Sequence, residues 1–235
     1  LKDVDKKALS YLVKAARIIE KINKQLDSHY NLDFEKFLDK EIKKKNKQAI
    51  LTKKLYDAQK GIFALDCESN MVILAKGLEF KKGRGFYPVD LTKEEFHKIL
   101  IKMIEENKID EVRKILNQRS VVERKKDELV AIDYVDKFKD DFKKVAELLL
   151  RASCLSSNID FNEYLRLQAE AFTKADAMLD AQADKKWATL QDTPLEFTIT
   201  RENYSDEMTE TVIENKKLNK LLKDNNIEVI SKDYL

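Results

Sequence analysis

Only 4 glycines, 2 prolines, 2 cysteines and 2 histidines occur among 235 residues, and each scarcity removes a class of protein. So few chain-breaking residues exclude a turn-rich all-β design and a Gly/Pro-rich disordered chain. The cysteines, Cys67 and Cys154, stand far apart and form neither a disulfide framework nor a Cys-x-x-Cys motif. The expectation is two buried free thiols in a reducing compartment. Neither histidine, His29 or His97, is followed by Glu, so the helix that carries a His-Glu zinc motif is missing. No apolar run approaches the ~18 residues of a spanning helix. The first residues, Leu1-Lys2-Asp3-Val4-Asp5, carry charge where a signal peptide would be apolar, so a cytoplasmic location is expected. A surplus of one charge is missing too: 45 Lys and Arg against 43 Asp and Glu leave a net charge of +2. Without a long-range field, nucleic acid and membrane are not expected partners. The basic run over residues 41–47 reads as a solvated helix face.

What is present is charge on helical spacing. Hydrophobic residues make up 43% and charged residues 37%, the balance of long helices with wet outer faces. A chain of this length buries about 70% of its unfolded surface, enough for a real core. Leu9, Leu12, Val13, Ala16, Ile19, Ile22 and Leu26 predict one stripe of a helix over residues 5–28. Phe34, Phe37, Leu38 and Ile42 predict a second helix, and Ile50, Leu51, Leu55, Ala58 and Ile62 a third that stops near Gly61. Residues 62–75 read as a helix end and buried extended chain, with a turn at Glu68-Ser69-Asn70. All four glycines fall between 61 and 85, which marks a connection. Thr92 followed by Glu95 is a capping box, and Phe96, Ile99, Leu100, Met103 and Ile104 continue it as a buried stripe. His97 on that helix reads as half-exposed, and His29 as a helix-end residue. A short helix over Ile109, Val112, Ile115 and Leu116 precedes a hairpin whose arms are residues 120–124 and 129–134. Val135, Phe138, Phe142, Val145, Ala146, Leu149 and Ala152, then Phe161, Tyr164, Leu165, Gln168 and Phe172, return to helical spacing, as do residues 175–187. Residues 195–199 alternate like a strand, and Val212, Ile213, Leu218, Leu221 and Leu222 form one more amphipathic helix before an apolar tail at 227–230. The fold class is mainly α with a small β component (α+β): a helical segment over 1–84, then helices packed with a hairpin and a short sheet over 85–235, or one continuous domain.

Four stretches carry a family likeness. They are Gly85-Phe86-Tyr87-Pro88-Val89-Asp90-Leu91-Thr92-Lys93-Glu94-Glu95-Phe96, the hairpin of 121–134, Tyr164-Leu165-Arg166-Leu167-Gln168-Ala169, and the strand of 195–199 that runs into Glu202-Asn203-Tyr204-Ser205-Asp206. In this order, over about residues 80–210, they resemble the bacterial branch of the dipeptidyl peptidase III family of zinc exopeptidases. The resemblance implies that Glu202 and Asn203 bind substrate, Glu202 receiving a peptide's ammonium group. It implies a catalytic role for Tyr204, whose phenol donates to the oxygen that gains charge in the transition state. Asn203 and Asp206 also suit the fixing of a turn. The alternative is that Glu202 and Tyr204 are ordinary strand-end residues.

The departures are specific. Ile199-Thr200-Arg201 replaces a Gly-Pro-Ile run and sets a cation beside Glu202, and residues 174–187 lack the family's acidic-Tyr-Ser-Asp run. The family's zinc comes from a His-Glu helix and a later Glu, so no cofactor is expected in this chain, although zinc is implied for a full-length relative. The expected function is the amino-terminal, substrate-holding portion of such a metallopeptidase, inactive alone. The alternative is a non-catalytic peptide- or protein-binding helical module derived from that lobe. Expected partners are short peptides with a free amino terminus, and either the missing catalytic lobe or a second copy at an open strand edge.

Overall fold

Helix dominates, as the scarcity of chain breakers predicts, and the strands come only in short antiparallel pairs. The computed structural model describes residues 1–126, 128–174, 176–199, 202–203 and 206–234; at 202, 203, 233 and 234 the description covers the backbone. Among the described residues the order is α1 (Asp3–Asp27), α2 (Asn31–Lys43), α3 (Lys47–Gln59), β1 (Phe63–Leu65), β2 (Met71–Ile73), α4 (Lys93–Glu105), α5 (Ile109–Ile115), β3 (Ser120–Lys125) and β4 (Glu128–Asp133). There follow α6 (Tyr134–Lys137), α7 (Lys139–Ser153), α8 (Ile159–Ala171), α9 (Ala177–Trp187), β5 (Glu202–Asn203), α10 (Glu207–Glu214), α11 (Lys216–Asp224) and β6 (Asp233–Tyr234). Strands pair as β1–β2, β3–β4 and β5–β6. The chain divides into two compact units, one of residues 1–22, 132–203 and 233–235, the other of 23–131 and 204–232.

In the first unit, α7 packs on α8 and α8 on α9. The stripes expected for α7 and α8 are the buried ones: Phe142, Val145, Ala146, Leu149 and Ala152 on α7, and Phe161, Tyr164, Leu165 and Gln168 on α8. Phe142 stacks on Phe172 with ring centroids 5.3 Å apart. Asn158 caps α8 by accepting the Phe161 amide, and Asp176 caps α9 through the amide of Met178, each worth about 1 kcal/mol. Helix α1 forms over the expected span, and Leu12, Ile19, Ile22 and Leu26 of its expected stripe are buried, but the buried face is shifted at the other positions. Its buried residues are Asp5, Ala8, Leu12, Ala15, Ile19, Ile22 and Leu26, an alternating spacing of three and four, while Leu9 and Val13 are exposed. Small side chains let another element approach closely, so Ala8 and Ala15 outrank two larger residues one position away. Asp5 is accommodated because Ser157 gives its carboxylate both a backbone and a hydroxyl hydrogen bond, at 2.8 and 2.9 Å. The Ser157 amide is the main reason this carboxyl titrates below its ordinary value.

In the second unit, Leu38, Ala49, Tyr56, Ile62 and Phe63 form a cluster over α2, α3 and β1. The stripe expected for α3 fails here: Leu51 and Leu55 are exposed, and Ala49 and Tyr56, seven positions apart, face the core instead. The Tyr56 hydroxyl donates to the Asn31 carbonyl at 3.0 Å, so an aromatic with a polar tip is held where an aliphatic residue was expected. Residues 62–75 are a hairpin rather than a helix end. β1 and β2 pair with Phe63 opposite Ile73 and Leu65 opposite Met71. Asp66 makes the turn, accepting the amides of Glu68 and Asn70. Leu65, Met71 and Ile73 lie on the outside, so this apolar run is buried only at its start, Ile62 and Phe63.

The capping box is closed. Thr92 accepts the Glu95 amide, and the Glu95 carboxylate is held by Arg124 of β3 at 2.7 Å. That guanidinium is the main cause of a lowered Glu95 pKa, with the Thr92 amide contributing. In the β3–β4 connection Lys126 takes a φ of 58°, supplying the left-handed residue without a glycine. The single helix expected from Val212, Ile213, Leu218, Leu221 and Leu222 is two, α10 and α11, because Asn215 leaves helical geometry and caps both. Both cysteines are free and exposed, not buried as expected. Among the described residues no helix is long and apolar enough to cross a membrane.

Candidate functional site

Of the expected site residues, Glu202 and Asn203 form β5, whose backbone pairs antiparallel with β6, Glu202 opposite Tyr234 and Asn203 opposite Asp233. Their side chains are not described, and Tyr204, like Arg201, lies outside the described residues. The extended segment before them behaves as its alternation predicts. Leu195 and Ile199 are buried and Glu196 and Thr198 exposed, although among the described residues the expected strand over 195–199 does not form part of a sheet. The surroundings of this segment belong to the first unit. The phenol of Tyr164, on α8, receives a hydrogen bond from the backbone of Ile199. Burial pushes that phenol up to about 12, so it remains neutral at any physiological pH.

After the candidate residues in the chain, in the second unit, Asp206 caps α10. Its buried carboxylate accepts the amides of Met208 and Thr209 at 3.1 and 3.2 Å, the hydroxyl of Thr209, and the Tyr87 hydroxyl at 3.0 Å. Tyr87 is fully buried and packs edge-on against Phe96, ring centroids 5.4 Å apart. The Phe-Tyr-Pro stretch and the Glu-Asn-Tyr-x-Asp stretch, separated by more than a hundred residues, therefore meet at one hydrogen bond. Asp206 fixes the chain, as expected of a turn residue, but it does so as a helix cap and a long-range anchor.

Sequence reading did not find the third member of this cluster. Lys232 is fully buried, and its ammonium donates to the carbonyls of Ile115 and Asn117 at 2.6 and 2.8 Å and to Ser120 Oγ at 2.8 Å. It also lies 5.4 Å from the centre of the Tyr87 ring, a cation–π distance. A lysine between Ser231 and Asp233 carries no local signal of burial, because its acceptors come from α5, the loop before β3 and the first residue of β3. The cluster has the chemistry of a filled structural core: each donor has an acceptor.

The histidines do not fit a zinc centre. His97 is buried, not half-exposed as expected, with Nε2 2.9 Å from Thr211 Oγ1 and Nδ1 3.1 Å from Asn215 Nδ2, so both ring nitrogens are engaged. His29 Nε2 is 2.7 Å from the Tyr87 carbonyl. Among the described residues no three His, Cys, Asp or Glu side chains converge as a metal site.

No family model matches the chain, and no curated protein matches it. Two solved structures do. The chain is similar to the structure of DPP III from Caldithrix abyssi at 24% identity and a TM-score of 0.74, covering 88% of this chain and 37% of that one. It is also similar to the structure of dipeptidyl-peptidase III from Corallococcus sp. strain EGB at 19% identity and a TM-score of 0.67, covering 81% and 34%. The chain thus has the fold of part of dipeptidyl peptidase III, and it spans 37% and 34% of the length of those proteins.

Proposed function

We propose that this chain holds short peptides by their charged amino terminus, as the substrate-holding portion of a dipeptidyl peptidase III-like peptidase, and that it does not hydrolyse them by itself. The observation that carries this reading is the fold likeness over 88% of the chain to DPP III, combined with the Glu-Asn-Tyr-x-Asp stretch leaving β5. A carboxylate at a strand end offers a charge-assisted acceptor to a peptide ammonium, and Glu202 has that role. Tyr204 offers a phenolic donor to the peptide's carbonyl oxygen, and Asn203 supports the pair from within β5. The two free, exposed thiols support a reducing, cytoplasmic setting.

Calorimetric titration tests the reading with a tetrapeptide carrying a free amino group and its N-acetylated twin. A hydrogen bond to a charged group contributes about 1.5–3 kcal/mol, so the acetylated peptide is expected to bind about 10- to 100-fold more weakly. Glu202→Gln should erase most of that difference. Equal affinity for the two peptides, or no binding of either, would sink the reading. The alternative is a free-standing binding module descended from this lobe, with which the engaged histidines are equally consistent. Binding that is indifferent to added zinc, with no turnover of a dipeptidyl arylamide, is its expected signature. Zinc-dependent turnover by the purified chain would overturn both.

A further inference from the structure

The joint between α10 and α11 is a single residue, Asn215, which ends one helix and caps the next. Its Oδ1 accepts the Leu218 amide at 3.1 Å, and this fixes which end of the side-chain amide faces His97. The end that faces it is Nδ2, a donor, 3.1 Å from His97 Nδ1, so Nδ1 must offer its lone pair. The other ring nitrogen gives the same answer independently. Thr211 Oγ1 donates its proton to the Met208 carbonyl at 2.7 Å, so it accepts from His97 Nε2 at 2.9 Å. Both neighbours therefore require a neutral imidazole with its one proton on Nε2.

We propose that His97 and Asn215 form a proton-operated latch on the α10–α11 joint, engaged while the imidazole is neutral and released when it takes a second proton in mildly acidic solution. A proton on Nδ1 would face the two protons of Asn215 Nδ2. Turning the amide over would satisfy the imidazolium but would set Nδ2 against the Leu218 amide and remove the α11 cap. Either way, one hydrogen bond at the joint is lost. The charged groups facing the ring are Lys93 and Glu94 on α4 and Glu214 on α10, and Lys93 and Glu214 pair with each other at 3.0 Å. On the α11 side, Lys217 pairs with Glu105 of α4 at 3.2 Å, and Arg113 of α5 donates to the Asn225 carbonyl.

Burial, with Lys93 adding to it and Glu94 and Glu214 opposing, holds His97 below its ordinary value of 6.5. The folded pKa is thus depressed, so the latch is at full strength above 6.5 and weakens as pH falls from there toward the folded value. In that window the opened joint binds more proton than the closed joint, and the opening equilibrium rises as pH falls, by at most about tenfold per pH unit.

Two measurements test the latch. Hydrogen exchange of the α11 amides, corrected for intrinsic rates, should show less protection at about pH 5.5 than at about pH 7.5, by up to about tenfold, and His97→Gln should abolish that dependence. The variant His29→Gln leaves His97 as the sole histidine, so ring nitrogen NMR reads it directly even if His97→Gln does not fold. The expected spectrum is the Nε2–H tautomer with a titration midpoint below 6.5. An Nδ1–H tautomer, a midpoint at or above 6.5, or α11 protection with no dependence on pH overturns the proposal.

Discussion

Replacing Gly85 by alanine is expected to cost the unit of residues 23–131 and 204–232 more than about 4 kcal/mol, an exceptional loss for a single substitution that follows when packed backbone must move. A Cβ at this position would lie 1.7 Å from the Gln25 carbonyl oxygen and 2.9 Å from the Leu26 Cα. No side chain can rotate aside to make room, because the obstructing atoms are main chain. The approach is itself held by a hydrogen bond, from the Gly85 amide to the Leu26 carbonyl at 2.9 Å. Gly77 provides the control. Its φ of 83° strains an alanine, but nothing lies within 4 Å, so Gly77→Ala should cost only about 1 kcal/mol. Urea unfolding of the two variants checks the contrast, and similar midpoints would mean that the tight crossing at Gly85 is not rigid.

Asp206→Ala is expected to cost about 2–4 kcal/mol, since it removes a helix cap and leaves the buried Met208 and Thr209 amides without their acceptor, while the Tyr87 and Thr209 hydroxyls, 2.8 Å apart, can still pair with each other. The change strips α10 of its cap and deprives both the Tyr87 and Thr209 hydroxyls of the carboxylate they meet. Tyr87→Phe should be far milder, about 1–1.5 kcal/mol, because the cap survives and only one hydroxyl is lost. Asp206→Asn, which keeps an oxygen for the Met208 and Thr209 amides, should fall between them. Chemical denaturation of the three variants gives the order, and a Tyr87→Phe loss equal to that of Asp206→Ala would show that the tyrosine, not the cap, dominates.

Legibility in the sequence followed the range of the interactions. The α7 and α8 stripes, the Thr92 capping box and the β3–β4 hairpin depend on residues a few positions apart, and each was readable as such. The α3 face, and the Leu9, Val13 and Ala16 positions of α1, were misread because hydrophobic size was the guide. The buried faces there contain Asp5, Ala8, Ala15 and Ala49, whose small volume or fixed partner matters more than transfer energy. His97 and Lys232 were illegible for another reason: their partners lie more than a hundred positions away, and nothing in the flanking residues announces them. Around the candidate site, the stretches noted for their resemblance became physically connected, Tyr87 to Asp206 and Tyr164 to Ile199. Glu202 and Tyr204 themselves remain proposals resting on sequence and fold.

The burial of Lys232 has a practical corollary. An amine-modifying reagent needs a deprotonated, accessible nitrogen, and this one is sealed from solvent while donating to three oxygens. Its acylation should therefore lag behind that of the surface lysines and proceed only when the surrounding polypeptide opens, so that mass spectrometry of this one side chain becomes a label-free-in-advance timer of unfolding.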